Sequence, residues 1–292
     1  MNDPTTDHLT FGDVPATALM TLACRVAESL APDPILQDPM AVAWLNSLKP
    51  RLKASGIDLL ERAAVVDTHP DTQVYVALRA REFDRLTADF LKRHPGGAVV
   101  TLGCGFDTRF DRLRGVDGRF VDLDTTEIIG ARRDLPDGGA CGGTIACNVM
   151  DFDWMDAEAL RGAGPMLFLA EGLFMYLASE EARALVVELQ RRFPGSELVC
   201  EVFNSFWLEA ARREDLERKL KEELGFGPDA MFRSGVAGAW EIAGWGSGIE
   251  ILGEWMHLDE DEPKLGRLRK LRHFPGYRRR QWVVHCRLGG AG

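Results

Sequence analysis

The sequence predicts an α/β protein built on a doubly wound, mostly parallel sheet of seven strands. From residue 98 onward, short apolar runs of strand length alternate with helical patterns, which indicates parallel strands joined by helical crossovers. The first run, in VVTLGCGFDTRF, ends on glycines and then turns charged, as strands that receive nucleotide-like ligands do. The predicted strands are Ala98–Leu102, Arg119–Leu123, Gly143–Cys147, Met166–Ala170, Glu197–Phe203, Ile249–Leu252 and Gln281–Cys286.

Helical patterns come before the strands and interrupt them once. Apolar residues at helical spacing predict helices over 15–31, after Pro39, and over 72–93. Ser205 to Trp245 contains the strongly helical EAARREDLERKLKEEL and breaks the alternation. We therefore predict one domain in four parts: an N-terminal helical cap (1–97), a cofactor-binding β/α core (98–204), a helical lid insertion before the sixth strand (205–245) and C-terminal strands (246–292).

Composition excludes several function classes. With 35 basic and 45 acidic residues, the net charge of −10 argues against a nucleic-acid partner. We interpret the basic stretch Arg267 to Arg280 as solvated surface. Apolar runs are too short to span a bilayer and the first residues are polar, so we expect no membrane segment and a cytoplasmic location. The six cysteines form no C-x-x-C pair, so no metal site is predicted.

The first strand ends in Gly103-Cys104-Gly105, where a ligand could approach the backbone closely. A dinucleotide fingerprint would need glycine or alanine at the place of Thr108, so a pyrophosphate is disfavoured. We interpret Cys104 as a small residue that the turn requires.

The next strand ends carry polar residues suited to a nucleoside. Asp122 and Asp124 alternate along VDLD and share one face, where a carboxylate would accept hydrogen bonds from ribose hydroxyls. After the third strand, Asn148 or Asp151 could bind an adenine amino group, with Val149 or Phe152 against the ring.

Glu171 ends the fourth strand, in FLAEGLFMYL. A carboxylate there needs a partner, and a ligand ammonium would be suitable. Ribose, adenine and an amino-acid tail together describe S-adenosylmethionine better than NAD.

Four motifs in this order resemble the leucine carboxyl methyltransferase family, whose bacterial relatives include O-methyltransferases of polyketide and other secondary metabolism. The motifs are GCGFDTRFDRL, VDLDTTEIIGARR, NVMDFDW and AEGLFMYL, and the resemblance runs from about residue 15 to 204. It implies a class I methyltransferase with a Rossmann-like sheet, an antiparallel last strand and S-adenosylmethionine as cofactor.

The resemblance also implies roles for single residues. Two glycines, Gly103 and Gly105, would contact the methionine part of the cofactor, and Glu171 its methionine end. Asp124, with Asp122 close by, would hold the ribose. The remaining cofactor contacts are Asn148 and Val149 at the adenine, and Arg79 and Arg25 at the carboxylate.

The chain departs from the family pattern at two places. Met150 stands where relatives that methylate a C-terminal leucine carry an arginine for the substrate carboxylate, and Thr126 replaces a proline. A long, flexible thioether at position 150 favours an apolar acceptor over a peptide tail.

Methyl transfer from a sulfonium is an in-line displacement that depends chiefly on alignment. A carboxylate acceptor would need no base, whereas a hydroxyl would benefit from one. The six histidines occupy no motif, and we expect structural or surface roles for them. Glu171 and Tyr176 are the candidate catalytic residues; Tyr176 would touch the acceptor or pack in the core.

The predicted function is S-adenosylmethionine-dependent O-methylation of a small hydrophobic or aromatic metabolite, on a hydroxyl or carboxyl oxygen. Large rings around the insertion would line an apolar pocket. They are Phe203, Phe206, Trp207, Phe226, Phe232, Trp240, Trp245 and Trp255. The alternatives are a carboxyl methyltransferase of a peptide or protein, a non-catalytic cofactor-binding protein and, least favoured, an NAD-dependent dehydrogenase. Neither the acceptor nor the oligomeric state follows from the sequence.

Overall fold

The computed structural model describes residues 11–53, 55–137, 143–162 and 164–290, and a seven-stranded sheet runs through them. The strands are β1 (Ala98–Leu102), β2 (Arg119–Asp124), β3 (Thr144–Ala146), β4 (Met166–Ala170), β5 (Ser196–Phe203), β6 (Ile249–Trp255) and β7 (Gln281–Leu288). Their order across the sheet is β3-β2-β1-β4-β5-β7-β6. β1 to β5 are parallel, and β7 is antiparallel to both of its neighbours. The predicted fold class, including the antiparallel last strand, is confirmed.

The predicted strands differ from the observed ones mainly at their ends. β6 continues to Trp255 instead of ending at Leu252, because a register shift between Ile251 and Gly253 absorbs the irregularity and pairing with β7 resumes. The third strand shrinks from the predicted Gly143–Cys147 to Thr144–Ala146, a partly exposed strand at the sheet edge.

Ten α-helices are found in the described residues. They are α1 (Asp13–Ser29), α2 (Pro39–Lys53), α3 (Asp58–Ala64), α4 (Pro70–Arg93), α5 (Arg109–Arg112), α6 (Thr126–Arg133), α7 (Ser179–Arg192), α8 (Ala210–Leu224), α9 (Ala239–Ala243) and α10 (Pro275–Arg278). Pro70 opens α4 because its fixed φ suits a first helical turn, and the His69 ring accepts the amide N–H of Asp71. Two 3₁₀ segments, His257–Asp259 and Pro263–His273, follow β6.

Both faces of the sheet are covered, which explains why β1 and β4 are buried throughout and, apart from Thr101, apolar. Alternate residues of the parallel strands point to opposite faces. One set packs against α7 through Leu185 and Leu189, and the other packs against α4 through Phe83 and Phe90. The helices α1 to α3 share a separate core around Trp44, which extends to the loop after β1.

The segment between β5 and β6 carries α8 and α9. Its buried side chains, among them Leu216, Leu220 and Phe232, pack on Phe203 at the end of β5. Other aromatic residues of the segment lie elsewhere: Trp240 is 70% exposed, and Trp245 packs on the central core. No helix in the described ranges has the length and apolar character needed to cross a membrane.

Five cysteines lie within the described residues and all are free thiols, four of them buried. Cys141 lies outside the described residues.

The packing of α7 on the sheet gives a stability prediction. Leu185→Ala, at a fully buried position, should lower the free energy of unfolding by about 2–5 kcal/mol, because it leaves a cavity under the sheet. The matched control, Val187→Ala, changes a side chain of the same helix that is 37% exposed, and should cost under about 0.5 kcal/mol. Urea denaturation measures both, and equal losses would contradict the described packing of α7.

Candidate active site

A cavity of about 610 Å³ opens at the carboxyl ends of β1, β2 and β4. Open α/β sheets bind ligands at this edge, and the volume is ordinary for a small-molecule site. Its walls come from the strand ends, from α1 and α4 of the N-terminal cap, from α8 and from the 3₁₀ segments after β6. The cap and the predicted lid therefore both take part in the cavity.

The glycine turn after β1 requires its glycines. Gly103 and Gly105 have φ of +65° and +49°, a region that residues with a Cβ rarely adopt. A Cβ at Gly105 would also lie 2.8 Å from the Cβ of Ala18 in α1. The turn and the N-terminal cap are therefore in close contact at the cavity wall.

Asp124 lines the cavity at the end of β2, whereas Asp122 does not. Asp124 accepts backbone N–H groups of Gly105 and Thr125, both at 2.7 Å. Burial outweighs these bonds and raises the pKa of the Asp124 carboxyl above its ordinary value. Each oxygen of the carboxylate retains a lone pair for a ligand hydroxyl.

Asp122 forms an ion pair with Arg132 of α6, at 2.5 Å. Arg132 also donates to the Cys104 Sγ at 2.7 Å and to the carbonyl of Gly105 at 3.2 Å. Asp122 therefore supports the glycine turn through Arg132 and is not among the residues that line the cavity. The two aspartates do share one face, but only Asp124 reaches the cavity.

Some of the residues after β3 line the cavity and others do not. Asn148 and Val149 line the cavity, while Asp151 and Phe152 are not among its lining residues. The Asn148 Oδ1 accepts the N–H of Met150 at 3.0 Å. Met150 packs against the central core and is not part of the cavity wall, so it does not shape an acceptor pocket directly.

Glu171 lies between two arginines at the end of β4. Its Oε1 is 2.8 Å from Arg79 Nε and its Oε2 is 2.7 Å from Arg109 Nη2. Burial alone would raise the pKa of Glu171, but the two guanidinium groups outweigh it and hold that pKa below its ordinary value. The partner that the sequence required is therefore supplied by the protein itself.

The two arginines proposed for the cofactor carboxylate both line the cavity but are engaged differently. Arg79 uses Nε for Glu171 and Nη1 for Glu201, and its Nη2 has no partner among the described residues. Arg25 uses all three nitrogens, for Asp38, the Thr21 carbonyl and, at 2.6 Å, the Phe106 carbonyl. Arg79 is thus open to a ligand, and Arg25 fastens the loop after β1.

These ion pairs belong to a larger set that we call the buried charge network. It consists of Arg25, Asp38, Arg79, Asp84, Asp107, Arg109, Arg112, Glu171 and Glu201. Counted by formal charge, four arginines face five carboxylates, so the network carries one net negative charge. Sequence reasoning missed Asp38, Asp84 and Arg112, although the alternating acids and arginines of FDTRFDR were a signal for paired charges.

Tyr176 lines the cavity, and its hydroxyl donates to Thr17 Oγ1 at 3.4 Å. Burial raises the pKa of Tyr176 to about 12, so the phenol is neutral at pH 7 and is a poor base. Its ring stands edge-on to Phe232 at 5.6 Å between centroids, and Phe232 meets Phe203 at 4.9 Å. We call these three rings the aromatic wall.

The family and the relatives of the chain identify it as an S-adenosylmethionine-dependent methyltransferase, and the fold and the cavity suit this activity. Residues 18–190 match the leucine carboxyl methyltransferase family, and the chain belongs to that family.

Individual relatives agree with this assignment. The chain is 26% identical, over 72% of its length and 74% of the relative's, to the tetracenomycin polyketide synthesis O-methyltransferase TcmP of Streptomyces glaucescens. It is 29% identical to the S-adenosyl-L-methionine-dependent methyltransferase dpfgK of Gibberella zeae, over 62% of this chain and 61% of that protein. The crystal structure of a DUF574 family protein from Streptomyces avermitilis shares the fold, with a TM-score of 0.54 and 13% identity over 93% of this chain and 96% of that one.

The residues present fit the cofactor. S-adenosylmethionine carries an ammonium, a sulfonium and a carboxylate, hence one net positive charge, which complements the net negative charge of the network. Arg79 Nη2 offers a donor for the carboxylate, and Gly103 and Gly105 line the same cavity.

The network predicts a specific pH dependence of stability. Asp107→Asn should lower the free energy of unfolding at pH 7 by about 1.5–3 kcal/mol, because it removes one of the three carboxylates that pair with each of Arg109 and Arg112. Burial opposes ionisation of Asp107, but the two arginines outweigh it and lower its pKa from 3.8. A carboxyl whose pKa is lower in the folded than in the unfolded protein stabilises the fold at pH values above the unfolded pKa, and this stabilisation is lost as the pH falls. The difference in the free energy of unfolding between variant and wild type should therefore narrow below about pH 4.

Urea denaturation between pH 7 and pH 3 measures this gap. Asp89→Asn is the control: it removes an exposed carboxylate of α4 that pairs with Arg85, and should cost under about 0.5 kcal/mol. A gap for Asp107→Asn that stays constant to pH 3 would contradict the pKa direction.

Proposed function

We propose that the protein transfers the methyl group of S-adenosylmethionine to an oxygen of a small hydrophobic or aromatic metabolite. The observation that carries the proposal is the aromatic wall, Tyr176, Phe203 and Phe232, which shares one cavity with Asp124 and Glu171. Flat rings favour an apolar, aromatic guest. The similarity to TcmP, which by its name O-methylates in polyketide synthesis, supports the same substrate class.

In this proposal the cofactor occupies the charged half of the cavity. Asp124 accepts the ribose hydroxyls, and Asn148 and Val149 meet the adenine. Arg79 holds the carboxylate through Nη2, and the Glu171 carboxylate faces the ammonium and sulfonium charges. The glycine turn lets the methionine part lie against the backbone.

The acceptor occupies the apolar half, next to α8. Leu216 and Leu220 of this helix line the cavity and pack with Phe203 and Phe232. Their role is to hold the acceptor oxygen in line with the methyl group and sulfur while excluding water. Tyr176, as a neutral hydroxyl, contacts the acceptor without removing a proton.

The proposal is tested by an acceptor screen with S-adenosylmethionine labelled at the methyl group. Hydroxylated and carboxylated aromatic compounds, including naphthols, naphthoic acids and multi-ring phenols, are compared with C-terminal leucine peptides. We expect turnover on the aromatic set, whereas turnover on the peptides alone would overturn the proposal.

The aromatic wall is tested in the same assay by a matched pair within one segment. Phe232→Ala removes a ring of the wall and should lower kcat/KM at least 10-fold for the best aromatic acceptor. Trp240→Ala removes a ring that is mostly exposed and outside the cavity, and should change it less than 2-fold. Equal effects would show that the wall does not contact the acceptor.

The ribose contact has its own prediction. Asp124→Asn should weaken binding of S-adenosylhomocysteine about 10- to 100-fold, the range expected for hydrogen bonds to a charged group. Asp151→Asn, on an exposed carboxylate outside the cavity, should leave the dissociation constant unchanged. Calorimetry measures both, with thermal melting as a check on folding, and an unchanged constant for Asp124→Asn would assign the ribose elsewhere.

A further inference from the structure

One histidine reaches the cavity without a partner for its buried nitrogen. His257 follows β6, lines the cavity, and has an Nδ1 that is inaccessible to solvent and makes no hydrogen bond to any described residue. That nitrogen is enclosed by protein, so Nε2, which is not among the buried unpaired atoms, is the ring nitrogen that can meet a molecule in the cavity. No sequence motif pointed to this residue.

His257 lies beside the charged half of the cavity. The His257 ring stands edge-on to the Tyr75 ring, with 4.6 Å between the centroids. The guanidinium of Arg79 lies 5.7 Å from the centroid of the Tyr75 ring. The Tyr75 ring therefore contacts both His257 and Arg79. Arg79 in turn pairs with Glu171.

The aromatic wall is also connected to this corner. Tyr75 and Gln281 both donate to Glu201 in β5, and Gln281 is the cross-strand partner of Phe203. A guest that lies on the aromatic wall therefore occupies the same cavity that His257 lines.

The state of the ring suits proton acceptance. Burial lowers the pKa of His257 to about 4, against a smaller opposing effect of Asp259, so the imidazole is neutral at pH 7. Asp259 itself is 2.5 Å from Arg278. A neutral imidazole has one nitrogen with a free lone pair and one N–H.

We propose that His257 accepts the proton of an acceptor hydroxyl during methyl transfer, so that the physiological acceptor is a hydroxyl compound and not a carboxylate. This rests on the proposed function. In the step, the acceptor oxygen forms a bond to the methyl carbon, and the sulfur–methyl bond breaks with its electrons going to sulfur. The hydroxyl proton passes to the imidazole lone pair, which leaves a methyl ether, S-adenosylhomocysteine and an imidazolium that loses its proton to solvent.

A weakly basic imidazole is adequate for this step. A hydroxyl oxygen that is gaining a third bond becomes far more acidic than the free hydroxyl, so its proton transfers readily to an imidazole late in the reaction. The low basicity also keeps the ring unprotonated, and therefore ready, while the cationic cofactor is nearby.

The experiment uses two naphthols of different acidity: 2-naphthol, which is protonated at pH 8, and 1-nitro-2-naphthol, which is ionised there. His257→Gln and His257→Phe remove the base, and the phenylalanine keeps an aromatic contact with Tyr75. Both variants should lose about 100-fold in kcat for 2-naphthol, the lower end of the range for general-base catalysis. The loss should shrink below 10-fold for the ionised phenol, which needs no base.

Two controls distinguish a role of His257 as a base from a structural role. His273→Gln changes an exposed histidine outside the cavity and should match wild type. Calorimetry with S-adenosylhomocysteine should give an unchanged constant for both His257 variants. Equal losses on the two phenols, or no loss on 2-naphthol, would overturn the inference and leave the proposed function standing.

Two other outcomes are distinct. Wild-type turnover on 2-naphthoic acid alone would overturn both the hydroxyl assignment and the base role of His257, and would leave the proposed function standing. Binding of S-adenosylhomocysteine without turnover on any aromatic compound would overturn the proposed function, and this inference with it.

Discussion

The arrangement of the site depends on one buried carboxylate, Glu171, held between the guanidinium groups of Arg79 and Arg109. A carboxylate taken out of water is costly unless its charge is paired and its oxygens are bonded. The two arginines come from α4 and from the start of α5, and the glutamate ends β4. The pairing of Glu171 with these two arginines therefore brings three distant parts of the chain to the same edge of the sheet.

The rest of the buried charge network extends this constraint to the N-terminal cap. Arg112 and Arg25 both pair with Asp38, just before α2. The cap is thus bound to the ligand edge by charge as well as by its apolar core. The network also has the charge that S-adenosylmethionine requires. Loss of the methyl group removes the sulfonium charge and makes the product neutral overall, so the electrostatic attraction is weaker for the product than for the cofactor.

Local signals in the sequence were sufficient for the strands and for the strand ends that form the cavity. Apolar runs bounded by glycine marked β1 and β4, and Gly103, Asp124 and Glu171 do meet in one cavity. What failed depended on partners distant along the chain. Alternation could not decide between Asp122 and Asp124, because the choice is made by Arg132, in the next helix, which pairs with Asp122. Likewise, nothing near Glu171 in the sequence indicated arginines 92 and 62 residues earlier as its partners. His257 had no signal in the sequence because its place in the cavity wall follows only from the fold.

Tyr176 and His257 are the two uncharged polar side chains for which we propose a contact with the acceptor, and they differ in what they offer it. Exclusion of water disfavours the charged form of both side chains, which raises the pKa of Tyr176 to about 12 and lowers that of His257 to about 4. Both are consequently neutral at pH 7, yet a neutral phenol offers mainly a proton to donate, whereas a neutral imidazole offers a lone pair. The same desolvation therefore suits both proposed roles: Tyr176 to orient an acceptor and His257 to accept its proton.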